Sequence, residues 1–249
     1  KLKRAAPWLF LLLVLAGLAA VRGLAANYEI GYEIMNGDFQ NYNPVRHLLA
    51  GQVPYRDFTV YLGAGELYSV GGLLLVLGNS FGRSMFATNF CTWFYFELLV
   101  LAVCLVVIGT ARAARAAALA LCSVFFAYVQ GANLPFAGQV NTLLSYAAAN
   151  GNSARMMRSA ALTLAVLVIL LGLHFWQQDT SRRLLAPAVL VPFAAGFFVP
   201  WSNDMGGAAY ISIALGYGLY LIRLYRSSIG KIVVQTLRYI VTSVVGLGV

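Results

Sequence analysis

Carboxylate and guanidinium side chains cluster in one stretch of the sequence. Five of the eight acidic residues lie between positions 29 and 66, and Asp38 and Asp57 flank a segment that also carries Arg46 and Arg56. A carboxylate can take a proton from a hydroxyl group, and a guanidinium group can bind a phosphate through two parallel hydrogen bonds. These residue types therefore point to proton transfer beside a bound anion. The alternative is that an exposed loop collects the charges that a membrane cannot hold.

A short helix is predicted between the two carboxylates. Residues 44–50 begin with a proline and are followed by a glycine, an arrangement typical of a helix start and end. Val45, Leu48 and Leu49 share one face of this helix, which suits it to lie on a membrane surface. Such a helix would bring the two carboxylates and the two arginines together at the membrane interface.

The composition predicts that this loop belongs to a membrane protein. Of 249 residues, 61% are hydrophobic and 10% are charged, whereas roughly 25% are charged in soluble domains. The 17 Lys and Arg residues exceed the 8 acidic ones, but they come singly or in pairs between apolar runs. That pattern is typical of cytoplasmic helix ends, and it excludes a soluble domain, a disordered tail and a nucleic-acid-binding protein. We expect an all-α, polytopic transmembrane helical bundle whose first outer loop contains short interfacial helices.

The apolar runs predict a single transmembrane domain over residues 1–249. A first helix over 7–26 follows a basic cluster, and we favour an uncleaved span over a signal peptide. Residues 27–64 form the outer, catalytic-type loop, and 65–249 hold the remaining spans. At about 20 residues per span, the length suits about seven or eight crossings. Because the sequence lacks an initial Met and stops within an apolar run, we expect an incomplete part of a longer chain.

Two topologies fit these runs. In one, residues 67–78 and 133–150 both cross the membrane; in the other, neither does, and the positive-inside rule favours the second. In both, residues 27–64 and the turn at 201–204 face the non-cytoplasmic side. We therefore expect a multi-pass integral membrane protein whose active face is periplasmic, extracellular or lumenal.

The first outer loop resembles the corresponding loop of a known enzyme superfamily. An Asp soon after the first helix, a surface helix, and then Pro54, Tyr55, Arg56, Asp57 and Phe58 are similar to the GT-C superfamily of polytopic glycosyltransferases. These enzymes use polyprenyl-phosphate-linked sugars. The similarity is closest to bacterial members related to protein mannosyltransferases and to lipid A aminoarabinose transferase. It covers roughly residues 7–110, and it includes the segment 77–83.

The resemblance implies roles for individual residues. The family's catalytic carboxylate in the first outer loop matches Asp38, which would act as general base, and Asp57 is grouped with it as a catalytic residue. Arginines would stabilise the phosphate leaving group, and tyrosines would stack on the sugar or the prenyl chain, unless they form an interfacial aromatic belt. The predicted substrate-binding set is Arg46, Tyr55, Arg56, Tyr61, Arg83 and Asp204. Asp204 also fits a simple turn-forming sequence.

The implied partners are a polyprenyl-phosphate-linked sugar and membrane lipid. Most members of the family that the loop resembles need no metal, and we assign no metal ligand. A loop rich in carboxylates could nevertheless hold a divalent cation.

Two alternatives compete with the transferase. Glu97 lies inside the apolar run 86–109, and an intramembrane carboxylate is a functional-site hypothesis by default. It would suit a transporter or flippase-like carrier. The third hypothesis is a non-catalytic subunit of a larger assembly with membrane-protein partners.

Overall fold

The computed structural model describes residues 2–28, 36–60, 62–109, 112–128 and 189–248. Its regular secondary structure in these ranges is helical, and the predicted all-α class is confirmed for them. The helices are α1 (Leu2–Tyr28), α2 (Asn36–Leu49), α3 (Ala64–Leu77), α4 (Phe81–Ile108), α5 (Ala113–Tyr128), α6 (Val191–Trp201), α7 (Met205–Leu224) and α8 (Ile229–Leu247).

Three of these helices are long and apolar enough to cross a membrane. They are α4 over Phe81–Leu105, α7 and α8, and they indicate a membrane protein. Apolar stretches of α1, α3, α5 and α6 are shorter. The predicted segment 133–150 and the spans expected between 129 and 188 lie outside the described residues.

The chain divides into two compact units, Lys1–Ala160 and Ala161–Val249. In the first unit, α4 packs against α1, α3 and α5. Leu11 and Leu15 of α1 share a buried cluster with Leu101 of α4 and Ala116 of α5. α4 begins after Ser80, whose hydroxyl oxygen accepts from the Arg83 N–H at 3.4 Å, an N-cap that satisfies one of the free amides of the first turn.

The surface helix of the first loop is longer than predicted. α2 begins at Asn36 instead of residue 44, so that Pro44 lies inside it, and it ends at Leu49 as expected. Gly51, with φ 82°, terminates this segment. The proline forfeits one backbone hydrogen bond, but Val45, which is fully buried, packs into a cluster formed mainly by α3 and α4. Tertiary burial therefore outweighs the local penalty.

The apolar face of α2, which was predicted to suit a membrane surface, packs on protein. Val45 belongs to the buried cluster that includes Leu67 and Val70 of α3, and the partly buried Leu48 and Leu49 pack against it. The two helices approach closely at Gly71, where an added Cβ would lie 3.0 Å from Leu48 Cδ2. This packing fixes α2 on the first unit and leaves its polar face exposed.

Within the described residues 189–248, the second unit contains the three helices α6, α7 and α8. Its core contains Phe198 of α6, Ile213 and Tyr217 of α7 and Tyr239 of α8. α6 and α8 cross with their backbones almost in contact, because a methyl group at Gly196 would overlap the Ser243 carbonyl and one at Gly246 would overlap the Phe193 carbonyl.

Candidate functional site

The candidate site is built on the first unit, beginning with a tight turn over residues 53–58. Asp57 accepts three hydrogen bonds there: from the Val53 N–H at 2.8 Å, and from Arg56 Nε and Nη2 at 2.9 and 2.8 Å. These bonds, with the Arg56 side chain contributing most, hold the pKa of Asp57 below its usual value. Since a low pKa makes a carboxylate a weak base, this geometry suits Asp57 to ordering the turn.

Tyr55 occupies a strained position at the tip of the same turn. Its φ is 64°, the only positive value for a non-glycine residue in the described part of the chain. Its N–H donates to the Phe58 carbonyl at 2.9 Å, and the residue is 53% exposed. Strained backbone persists only where the surroundings enforce it, and such positions concentrate at functional sites. Arg56 beside it is also exposed, whereas Tyr61 lies outside the described residues.

A second group of polar side chains lines an open cavity beside the C-terminal half of α2. The cavity measures about 340 Å³, and its lining residues are Asn43, Arg46, His47, Leu49, Ala50 and Asn79. Arg46 is exposed, and its guanidinium carbon lies 5.8 Å from the centre of the Tyr42 ring. The Tyr42 hydroxyl in turn donates to Asn79 Oδ1 at 2.9 Å. One aromatic side chain thus ties α2 to the turn between α3 and α4.

His47 connects this cavity to the 53–58 turn. Its Nδ1 is hydrogen-bonded to Gln52 Oε1, and its ring stacks on Phe58 with centroids 5.2 Å apart. The cavity and the strained turn are therefore parts of one local structure. No role was predicted for His47, Asn43 or Asn79, although Asn79 falls within the segment 77–83 that the resemblance includes.

Asp38, the predicted general base, is the third residue of α2. A helix rises 1.5 Å per residue, so the backbone of Arg46 lies roughly 12 Å further along the same axis. Arg83, predicted to bind the donor phosphate, lies in the first turn of α4, where its guanidinium group rests against Gly78. A methyl group at Gly78, whose φ is 92°, would overlap that guanidinium. Arg83 thus covers the same α3–α4 turn that carries Asn79.

Two buried polar residues beneath α2 were not predicted as site residues. Asn41 of α2 and Glu66 in the first turn of α3 are 4% and 5% exposed, and both line a narrow cavity between the two helices. Glu66 was counted among the loop acids, and its position at the start of an apolar helix was the signal for burial. Polar groups at this depth normally serve a specific interaction.

The remaining predicted residues lie elsewhere. Glu97 is completely buried in α4, inside the candidate span Phe81–Leu105, on a helix whose Trp93 and Phe96 pack with Ala19 of α1. Asp204 belongs to the second unit, where it caps α7 by accepting from the Met205 N–H at 3.0 Å and from Ser202 Oγ at 2.7 Å. This capping geometry accounts for Asp204 as a turn residue.

The chemistry that these residues offer is hydrogen bonding to a polar ligand at the surface of α2, with a carboxylate-bearing residue at the start of the same helix. In the described ranges, no group of three His, Cys, Asp or Glu side chains is arranged to hold a metal ion.

Comparison of the chain with protein-family models, with curated proteins and with solved structures found no match.

Proposed function

We propose that this chain is a membrane glycosyltransferase of the GT-C type, which transfers a sugar from a polyprenyl-phosphate donor to an acceptor on the non-cytoplasmic face. The observation that supports the proposal most is α2 itself. It follows the apolar helix α1 after a short connection, carries Asp38 in its first turn, and ends beside a polar cavity that contains Arg46.

The proposed reaction is an inverting displacement. The Asp38 carboxylate takes the proton of an acceptor hydroxyl while that oxygen forms a bond to the anomeric carbon of the donor sugar. The bond between this carbon and the phosphate oxygen breaks, and the polyprenyl phosphate leaves with the electron pair. The leaving group needs no proton, because a phosphate oxygen carries the charge and guanidinium groups such as Arg56 or Arg83 stabilise it.

The same proposal assigns the membrane topology. α4, α7 and α8 cross the bilayer together with further apolar segments, in a multi-pass arrangement that puts the loop over 27–64 on the periplasmic, extracellular or lumenal side. The prenyl chain of the donor then lies among the helices, while its phosphate meets α2 at the interface. Membrane lipid and other membrane proteins are the expected neighbours.

The test is replacement of Asp38 in the full protein, assayed in native membranes with a panel of labelled polyprenyl-phosphate hexoses and pentoses. Asp38→Asn is expected to lower transfer by roughly 100-fold or more, and Asp38→Glu to retain part of it. Arg112→Ala, at an exposed position of the short turn before α5, is the matched control. Transfer by a correctly inserted Asp38→Asn variant at the wild-type rate would remove Asp38 from the mechanism.

A carrier of lipid or a small solute is the second candidate, and it is favoured by one observation. Glu97 has no exposed surface and lies within a candidate span, and buried intramembrane carboxylates mark ion and substrate pathways. Scrambling or uptake in liposomes that requires Glu97, in protein that transfers no sugar, would favour the carrier over the transferase.

A further inference from the structure

We propose that the cavity beside the C-terminal half of α2 binds a saccharide, so that the acceptor in the proposed reaction is a carbohydrate. This inference rests on the proposed function and deepens it, because nothing in that function specifies the acceptor. It depends on the donors and acceptors of hydrogen bonds in the cavity, on its charge and on its position relative to Asp38.

The cavity presents both donors and acceptors. Because Asn79 Oδ1 accepts from the Tyr42 hydroxyl, the amide of Asn79 is oriented, and its nitrogen donates to no protein group in the part of the chain that the structure describes. His47 Nδ1 is hydrogen-bonded to the amide oxygen of Gln52, which can only accept, so Nδ1 carries the hydrogen. In a neutral imidazole ring the other nitrogen, Nε2, is then an acceptor. Arg46 and Asn43 add further donors and an amide oxygen. Sugar hydroxyls donate and accept at once, and they match such a mixed set.

The charge of the cavity favours a neutral ligand over an anion. Among the lining residues in the described part of the chain, Arg46 carries the one formal charge, and the C-terminus of α2 at Leu49 opposes it with about half an elementary charge. The C-terminus of α3 and the N-terminus of α4 adjoin Asn79 on either side, and their opposite dipole charges offset each other. The second guanidinium nearby, that of Arg83, rests against Gly78 and does not line the cavity. The lining itself is therefore weakly positive, whereas dedicated phosphate sites combine several guanidinium groups and amides.

The size and position of the cavity agree with an acceptor. About 340 Å³ falls within the range of small-molecule sites, which starts near 300 Å³. Asn43 follows Asp38 by five residues, or roughly 7.5 Å along the helix axis. A saccharide in the cavity therefore lies beside the same helix that carries the proposed base.

The test is ligand binding in the absence of any donor. The full protein in nanodiscs is mixed with methyl glycosides of glucose, mannose, galactose and arabinose, and binding is followed by saturation-transfer NMR. Glycerol phosphate is the anionic probe, and a short polyethylene glycol is the non-saccharide probe. We expect at least one glycoside to bind, and Arg46→Ala and Asn79→Ala each to weaken it about fivefold, as expected for one lost hydrogen bond.

Matched variants separate a local effect from misfolding. Arg46 and Asn79 are exposed, but Asn79→Ala also removes the hydrogen bond from the Tyr42 hydroxyl. Tyr42→Phe removes the same hydrogen bond and keeps the amide, so it is the control for that loss, and Arg112→Ala is expected to bind the glycoside like the wild type. Binding of glycerol phosphate without any glycoside, or glycoside binding that neither cavity variant changes, would overturn the inference.

Failure of the inference is distinguishable from failure of the proposed function. Asp38→Asn should bind glycoside normally while it loses transfer. Protein that transfers sugar but shows no glycoside binding contradicts the saccharide site and retains the transferase. Protein that binds glycoside at the cavity but transfers none retains the site and contradicts the transferase.

Discussion

The strained backbone at Tyr55 allows its local and functional roles to be measured separately. Tyr55 holds a φ of 64° at the tip of the 53–58 turn, and a left-handed conformation costs a non-glycine residue about 1–2 kcal/mol. We compare Tyr55→Gly with Tyr55→Ala. Both variants remove the aromatic ring, but only glycine also removes the conformational cost.

The expected difference follows from two opposing quantities. Glycine gains the 1–2 kcal/mol of relieved strain, but its greater freedom in the open state costs about 0.4–1 kcal/mol relative to alanine. At the midpoints of the two ranges, about 1.5 and about 0.7 kcal/mol, the turn of the glycine variant should therefore be more stable than the turn of the alanine variant by roughly 0.8 kcal/mol. This corresponds to a difference of about two- to fivefold in the equilibrium for opening the turn.

Hydrogen exchange measures this opening directly. The amides of Tyr55 and Asp57 donate to the Phe58 and Val53 carbonyls, each at 2.9 Å, so they exchange only when the turn opens. After correction for intrinsic rates, the two amides should exchange more slowly in Tyr55→Gly than in Tyr55→Ala. Equal protection, or better protection in the alanine variant, would refute the strain argument. If the ring binds substrate, both variants lose sugar transfer to the same extent despite their different stability.

Three further outcomes are expected. Gly246→Ala should destabilise the second unit and lower its thermal transition temperature, because the methyl group overlaps the Phe193 carbonyl. Gly216→Ala should leave that temperature unchanged, because the space around Gly216 is open. Equal transition temperatures for the two variants would contradict the close crossing of α6 and α8. The pKa of Asp57 is lowered in the folded state, so its contribution to the turn is present above the usual carboxylate pKa near 4 and is lost as the pH falls through the lower value. After correction for intrinsic exchange rates, acid should therefore reduce the protection of the turn amides in the wild type but not in Asp57→Asn. Asp204→Ser should retain the cap of α7, whereas Asp204→Ala should lose about 1 kcal/mol of stability. A loss of sugar transfer in the serine variant would instead show that Asp204 contacts substrate.

The features that depend on local composition and spacing were predictable from the sequence. The helical class, the apolar α4 and the end of α2 before Gly51 follow from hydrophobic runs and from one glycine signal. The start of α2 at Asn36 could not be predicted from the sequence, because Pro44 is a strong local indication of a helix start. The added part of the helix before Pro44 packs on the protein, because Asn41 is buried and Tyr42 contacts the cluster of α3 and α4. A contact between helices is not visible in the spacing of one of them.

The candidate site also depends on contacts between elements that the sequence does not reveal. Tyr42 and Asn79 are 37 residues apart, and neither has a neighbour in sequence that indicates a joint role. Their hydrogen bond depends on how α2 lies across α3, which fixes where the α3–α4 turn meets the helix. Asp57 was predicted as part of a cluster of charges. Its three accepted hydrogen bonds depend on a turn geometry that includes a positive φ at a tyrosine, which composition alone does not indicate.

Burial separates the two competing functions further. An acceptor that arrives from water must reach the base, and Glu97, with none of its surface exposed, cannot contact such an acceptor. A charged carboxylate at this depth is costly unless it is compensated, which suits a residue that holds helices together or that handles ions within the membrane. Under the transferase proposal, Glu97→Gln should therefore leave glycoside binding at the α2 cavity unchanged. Loss of that binding in a well-folded Glu97→Gln protein would couple the buried carboxylate to the surface site and favour a carrier whose conformations link the two.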